Sequence, residues 1–157
     1  MSQPTEENVG SSEHSGNGLA CVRLLIADDQ PRGRQSLEAL LTAQRWHTLN
    51  HAEIAIEIVG EADDGQQAVD QVQALRPDVV MLDLPSPIKT NRPITSGPQL
   101  DGLATIRAIK GRWPAVRVVV LTMYATDRSA ALLAGADAFL LKGCPTGELL
   151  DAMMAIP

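Results

Sequence analysis

Between residues 21 and 156, short apolar runs alternate with amphipathic stretches five times. Val79, Val80, Met81 and Leu82 follow Pro77-Asp78 with no polar residue among them and lead into Asp83 and Leu84. That is the pattern of a strand buried on both faces of a parallel sheet. VRLLIA (22–27), IAIEIVGEA (54–62), VRVVVLT (116–122) and DAFLLK (137–142) read as four more strands. Between them the apolar positions recur at helical spacing. Leu37, Leu40 and Leu41 mark the first helix, Ala68, Val69, Val72 and Leu75 the second, and Leu103, Ile106 and Ile109 the third. An alanine- and leucine-rich run from about Thr126 to Ala134 gives the fourth helix, and Leu149, Leu150 and Met153 the fifth. The punctuation agrees. Pro31 suits an early helical position, Asp63-Asp64-Gly65, Asp101-Gly102 and Pro145-Thr146-Gly147 open helices, and Gly135 stops one.

Strand and helix in regular alternation predict an α/β fold with helices on both faces of a parallel sheet. The expected form is a flavodoxin-like, doubly wound, five-stranded sheet of order 2-1-3-4-5. Two connections are longer than such crossovers need. Residues 42–53 are expected to lengthen the first helix or form a short second one, anchored by Trp46 and Leu49. Residues 85–100 are too rich in proline to be helical, and a loop of that length is usually functional or mobile. Residues 1–19 are rich in Ser, Gly, Glu and Asn and are expected to form a disordered tail. The domain is therefore placed at 20–157, and with Ile156-Pro157 arriving barely two turns into the fifth helix it reads as cut short.

Composition narrows the possibilities. A chain of 157 residues suffices for one domain, and 45% apolar residues with only 3% aromatic means a core of Leu, Ile, Val, Ala and Met. A net charge of -6 argues against a nucleic-acid surface on this domain, which would need a basic face. No basic segment leads into an apolar one at the N-terminus and no run would span a bilayer, so a cytoplasmic location with no membrane partner is expected. Cys21 and Cys144 are too few for a disulfide framework, and His47 with His51 lacks a third ligand for a metal.

The chemistry collects at the carboxyl ends of the strands, where open α/β sheets bind ligands. Asp28 and Asp29 follow strand one, Asp83 ends strand three, Thr122 ends strand four and Lys142 ends strand five. Each has an ordinary reading alone: the aspartates as helix-start or turn residues, Thr122 as a β-branched strand residue, Lys142 as a solvated lysine. In the expected sheet order the three carboxylates converge. Like charges about 4 to 6 Å apart repel by roughly 1 to 4 kcal/mol per pair, which a hard divalent cation would relieve. Oxygen-only donors with room for water and a phosphoryl group suit Mg²⁺ better than Ca²⁺.

With these positions, the strings LLIADD, GEADDG, PDVVMLDL, VVVLT and AGADAFLLK resemble the CheY-like receiver domain of two-component response regulators. They are closest to the NarL/LuxR-type subgroup, whose receivers precede a helix-turn-helix output domain. The resemblance covers about residues 22–156. It implies that Asp83 is the phosphoacceptor, taking a phosphoryl group from the phosphohistidine of a sensor histidine kinase. Asp29 and Asp83 would then bind Mg²⁺ directly, Asp28 through water or by positioning, and Pro85 through its backbone carbonyl. Lys142 and Thr122 would bond phosphoryl oxygens, while Phe139 would be the aromatic switch that turns inward. Partners implied are the kinase, a second copy through helix 4, strand 5 and helix 5 or through helices 1 and 5, and DNA only through an output domain outside this chain. The protein would phosphorylate itself without turning over a substrate, so it is not expected to be an enzyme.

The sequence departs from the family pattern in three places. Pro85, two residues after the acceptor, cannot orient a hydrolytic water, which leaves phosphoryl lifetime to be set elsewhere, with Tyr124 the candidate. Pro87 fits the pattern, but some eleven residues are then inserted before Asp101, and Gly143 stands where a proline often follows the lysine. If the insertion shields Asp83, the alternative is a receiver-like interaction module that works without phosphorylation. A Mg²⁺-dependent phosphatase is disfavoured because the sequence offers neither a separate general acid nor an evident substrate pocket.

Overall fold

The unbroken apolar strands lie where burial on both faces requires them. In the computed structural model, which describes residues 20–42, 46–47, 53–83 and 100–154, the central strand β1 (Ala20–Asp28) is followed by helix α1 (Pro31–Thr42). Strand β2 is Trp46–His47, β3 is Glu53–Ala62 and helix α2 is Gly65–Leu75. Strand β4 (Val79–Asp83), helix α3 (Gly102–Arg112) and strand β5 (Arg117–Thr122) follow. A 3-10 turn (Ala125–Asp127), helix α4 (Arg128–Ala134), strand β6 (Ala138–Leu141) and helix α5 (Thr146–Met154) complete the described chain.

The sheet order is β2-β3-β1-β4-β5-β6. Five of these strands are parallel and stand in the expected 2-1-3-4-5 order. The sixth is a correction. Residues 46 and 47 neither extend the first helix nor form another; they pair antiparallel with β3, Trp46 opposite Ile54 and His47 opposite Glu53. An outer parallel strand has a row of unsatisfied backbone groups. A five-residue return from His47 to Glu53 lets the chain cover part of that edge with itself. Leu49 lies outside the described residues, as do the tail 1–19 and the long connection 84–99.

Alternate residues of each strand feed two cores. Leu25, Ala27, Val80, Leu82, Val118 and Val120 point to the face covered by α2, α3 and α4. Leu24, Ile26, Val79, Met81, Val119 and Leu121 point to the face covered by α1 and α5. Local sequence sets the helix ends: Asp64 and Asp101 accept from the third backbone N–H of α2 and α3, at 2.8 Å in each case. Gly135 ends α4 with φ of 113°, a conformation that disfavours any side chain. The first helix is packed differently from its expected face. Leu41 is fully buried, but Leu40 is 43% exposed. It borders an open groove of about 270 Å³ between α1 and the β6–α5 loop.

Candidate functional site

Parallel pairing brings the acids together. The register of β1 on β4 sets Asp28 opposite Asp83. That of β5 on β6 sets Thr122 opposite Leu141, one residue before Lys142. The Lys142 backbone N–H donates to the Thr122 carbonyl at 2.7 Å, fixing where the lysine leaves the sheet. Its ammonium forms a short ion pair with Asp83 Oδ2 and stands 3.5 Å from Asp28 Oδ2. Asp28 is only 5% exposed. Its Oδ1 accepts from the Gln30 N–H at 2.9 Å, and Gly33 packs so closely against Oδ2 that a Cβ there would collide with it.

The charges are out of balance. Burial pushes the Asp83 carboxyl above its ordinary value. The hydrogen bond and charge of Lys142 pull the other way, and the negative charges of Asp28 and Asp29 push it up further. For Lys142, burial alone would lower the pKa, but the hydrogen bond and charge of Asp83, with the charge of Asp28, outweigh it and raise the value. The two shifts are compatible: the lysine is held charged, while one ammonium does not compensate three carboxylates and their desolvation. Among the described residues, no three side chains of metal-ligating type are gathered tightly enough to hold an ion as they stand. The donor chemistry nonetheless fits a hard cation. The candidate side-chain ligands are all carboxylates, and their mutual repulsion is registered at Asp83.

Thr122 is buried, and its Oγ1 accepts from the Tyr124 N–H at 3.3 Å. Phe139 is 6% exposed and packs in the core. It lines a cavity of about 60 Å³ together with Asp83 and Thr122. The Phe139 ring points inward, packed in the same apolar cluster as Val120 and Ala131. Pro85 and Pro87 lie outside the described residues. The sequence also suggested no evident pocket, yet the groove beside α1 reaches Asp28, Asp83 and Lys142.

Two contributors were missed. Gln30 caps Asp28 through its backbone, which no side-chain pattern reveals. Arg34 donates from Nη1 to the Asp28 carbonyl at 2.7 Å and lies 2.9 Å from Asp63 Oδ1. In the sequence Arg34 has Glu38 one helical turn ahead, the mark of an ordinary surface pair. The only signal for its inward role was its place early in a helix that opens beside the acids.

No family model matches the sequence. The transcriptional regulatory protein LiaR of Bacillus subtilis is 31% identical over 136 residues, covering 85% of this chain and 55% of that protein. Protein-glutamate methylesterase/protein-glutamine glutaminase 4 of Myxococcus xanthus is 36% identical over 124 residues, 77% of this chain but 30% of that protein. The chain spans about half the length of the curated relatives it matches, or less. Among solved structures, the signal receiver domain of NarL from Mycobacterium tuberculosis superposes with a TM-score of 0.65 at 26% identity, over 87% of this chain and 99% of that one. The CheX-CheY-BeF3-Mg²⁺ complex from Borrelia burgdorferi shares the fold, with a TM-score of 0.63 at 22% identity. Among the described residues, no helix is long and apolar enough to cross a membrane. The relatives of this chain are response regulators of the LuxR/NarL type, and its fold is the receiver fold, spanning nearly the whole of a separate receiver domain.

Proposed function

We propose that Asp83 is the phosphoacceptor of a two-component signalling switch, and that a sensor histidine kinase supplies the phosphoryl group. The observation that carries this reading is the convergence of Asp28, Asp83 and Lys142, three charged side chains brought into one contact network by strand register. An Asp83 carboxylate oxygen attacks phosphorus, the P–N bond to the kinase imidazole breaks, and that nitrogen leaves with the bonding electron pair. The product is an acyl phosphate on Asp83. Lys142 releases its direct pairing with Asp83 and holds a phosphoryl oxygen instead, and the Thr122 hydroxyl donates to another. Asp28, Asp29 and Asp83 are the side chains that would hold Mg²⁺, with Pro85 contributing its carbonyl. When bound, the ion supplies charge neutralisation on the transferring oxygens. The nearby groove between α1 and the β6–α5 loop gives a donor a route to the carboxylate.

Phosphorylation alters only the protein itself, so we assign no substrate turnover. Similarity to the methylesterase covers 30% of that protein and carries no esterase assignment. The output is transcription control through a DNA-binding segment beyond this sequence, in the cytoplasm. A second copy would dock through α4, β6 and α5 or through α1 and α5. The inward Phe139 favours one other reading, an interaction module already in its binding form without phosphate.

Intact mass after incubation with Mg²⁺ and a small-molecule phosphodonor tests the proposal, with Asp83→Asn as control. Gain of one phosphoryl group that needs both Mg²⁺ and Asp83 is the expected result. No gain in the wild type would overturn it and leave the interaction module.

A further inference from the structure

The side chain of Arg34 has no part in the phosphoryl chemistry described above, yet it is almost sealed in beneath it. It is 12% exposed. Its Nη1 reaches two groups on different strand ends: the carbonyl of Asp28, at the end of β1, and the carboxylate of Asp63, just after β3. Its Nε is shut off from solvent with no hydrogen-bond partner, and Glu61 Oε2 stands 3.7 Å away, beyond bonding range. A guanidinium gives up hydration in such a place, and one close carboxylate with one carbonyl only partly compensates. A solvent-facing arginine on α1 would avoid that cost.

What Arg34 grips is informative. The Asp28 carbonyl belongs to the peptide that links Asp28 to Asp29, so a donor fixed on that oxygen sets the plane from which both carboxylates project. The Asp28 side chain is restrained from two further directions, by the Gln30 N–H and by Lys142. Without Arg34 the peptide would be free to rock about its flanking bonds, and carboxylates meant to share one ion would spread. The planar fork suits this task better than a lysine, because it engages an oxygen on each of two elements at once.

The geometry points to Arg34 as a positioning residue for the Mg²⁺ site: it fixes the Asp28–Asp29 peptide and ties metal affinity to Asp63 across the adjacent strand. This rests on the phosphoacceptor reading above. Groups that hold a metal's ligands in place typically govern affinity by about 10- to 100-fold. Arg34→Met is therefore expected to raise the Mg²⁺ dissociation constant roughly tenfold. Phosphoryl uptake at saturating Mg²⁺ should stay within about threefold of wild type, since no reacting group is removed.

The experiment is calorimetric titration of Mg²⁺ alone into wild type, Arg34→Met, Arg34→Lys and Asp63→Asn, with thermal unfolding of each without metal. Asp63→Asn leaves the bond to Asp28 in place and is expected to weaken binding less than Arg34→Met. A purely structural role would lower the unfolding temperature of Arg34→Met and leave Mg²⁺ affinity within twofold of wild type, and that result overturns the inference. If Arg34→Met does not fold, Arg34→Lys is judged by the same criterion. Failure of the wild type itself to bind Mg²⁺ would instead remove the metal-dependent reading, and this inference with it.

Discussion

A lysine–aspartate pair stands at each end of the sheet, and the two are built differently. At the amino ends of the strands, Lys110 Nζ donates to the carbonyls of Pro114 and Val116 at 2.9 and 3.0 Å and to Asp137 Oδ2 at 2.9 Å. The same Asp137 oxygen accepts from the Val118 N–H at 2.8 Å. Every proton of that ammonium has an acceptor, and the pair joins α3 to β5 and β6. At the carboxyl ends, Lys142 faces Asp28 and Asp83 with the charge of Asp29 close by, and the Asp83 pKa is driven up. One pair is saturated and holds the fold; the other leaves negative charge over, which in the proposed reading another cation or a phosphoryl group would engage.

Substitutions should separate these roles. The largest effect is expected at Asp83: Asp83→Asn abolishes phosphoryl gain in the mass measurement, because the attacking oxygen is gone. Lys142→Met follows. Loss of the ammonium that pairs with Asp83 should slow uptake from a small phosphodonor by about 10²-fold, the order seen when a charge-stabilising donor is removed. Stopped-flow or quenched mass kinetics would check it, and a rate within twofold of wild type would place Lys142 with the structural lysines.

Lys110→Met should behave oppositely. Removing a charged donor with three acceptors costs about 2 kcal/mol, lowering the unfolding temperature by roughly 4 to 8 °C for a domain of this size. Phosphoryl uptake should remain within about twofold of wild type. If Lys110→Met impaired uptake while leaving stability intact, the division between a holding end and a reacting end would fail.

The same division explains what could be read in advance. Strands and sheet order were legible because a parallel core strand is apolar without interruption, and carboxylates at strand ends are conspicuous in that setting. Asp28, Asp83, Thr122 and Lys142 were picked out because each stands at a strand end, and the sheet sets those ends side by side. Arg34 and Gln30 were hidden because they act on, or through, the backbone, which has no sequence signature. Trp46 and His47 were misread because two residues carry no period, and an edge strand depends on the neighbour it covers. Leu40 was assigned to the core by spacing alone, whereas the groove beside the site leaves it exposed. Phe139 was singled out only through the family resemblance, and which way its ring points is a matter of packing with Val120 and Ala131.

The smallest expected effect tests the charge imbalance without any phosphoryl transfer. An acid whose folded pKa lies above its unfolded value contributes stability that is present below the unfolded value and lost as pH rises through the folded one. Asp83 is such an acid, raised from an ordinary value of 3.8 chiefly by burial. At neutral pH its ionised form therefore holds the fold below the stability it could have. Asp83→Asn removes that charge while leaving Lys142 with Asp28 as a partner at 3.5 Å. The variant should unfold a few degrees above wild type near pH 7, at roughly 2 to 4 °C per kcal/mol, and the gap should close as pH falls through the raised folded pKa of wild-type Asp83 toward its ordinary value of 3.8. Thermal unfolding at several pH values in metal-free buffer measures it. A variant less stable than wild type at neutral pH would mean that the Lys142 bond outweighs burial and the two neighbouring acids. The carboxyl end of the sheet would then be held together much as the amino end is.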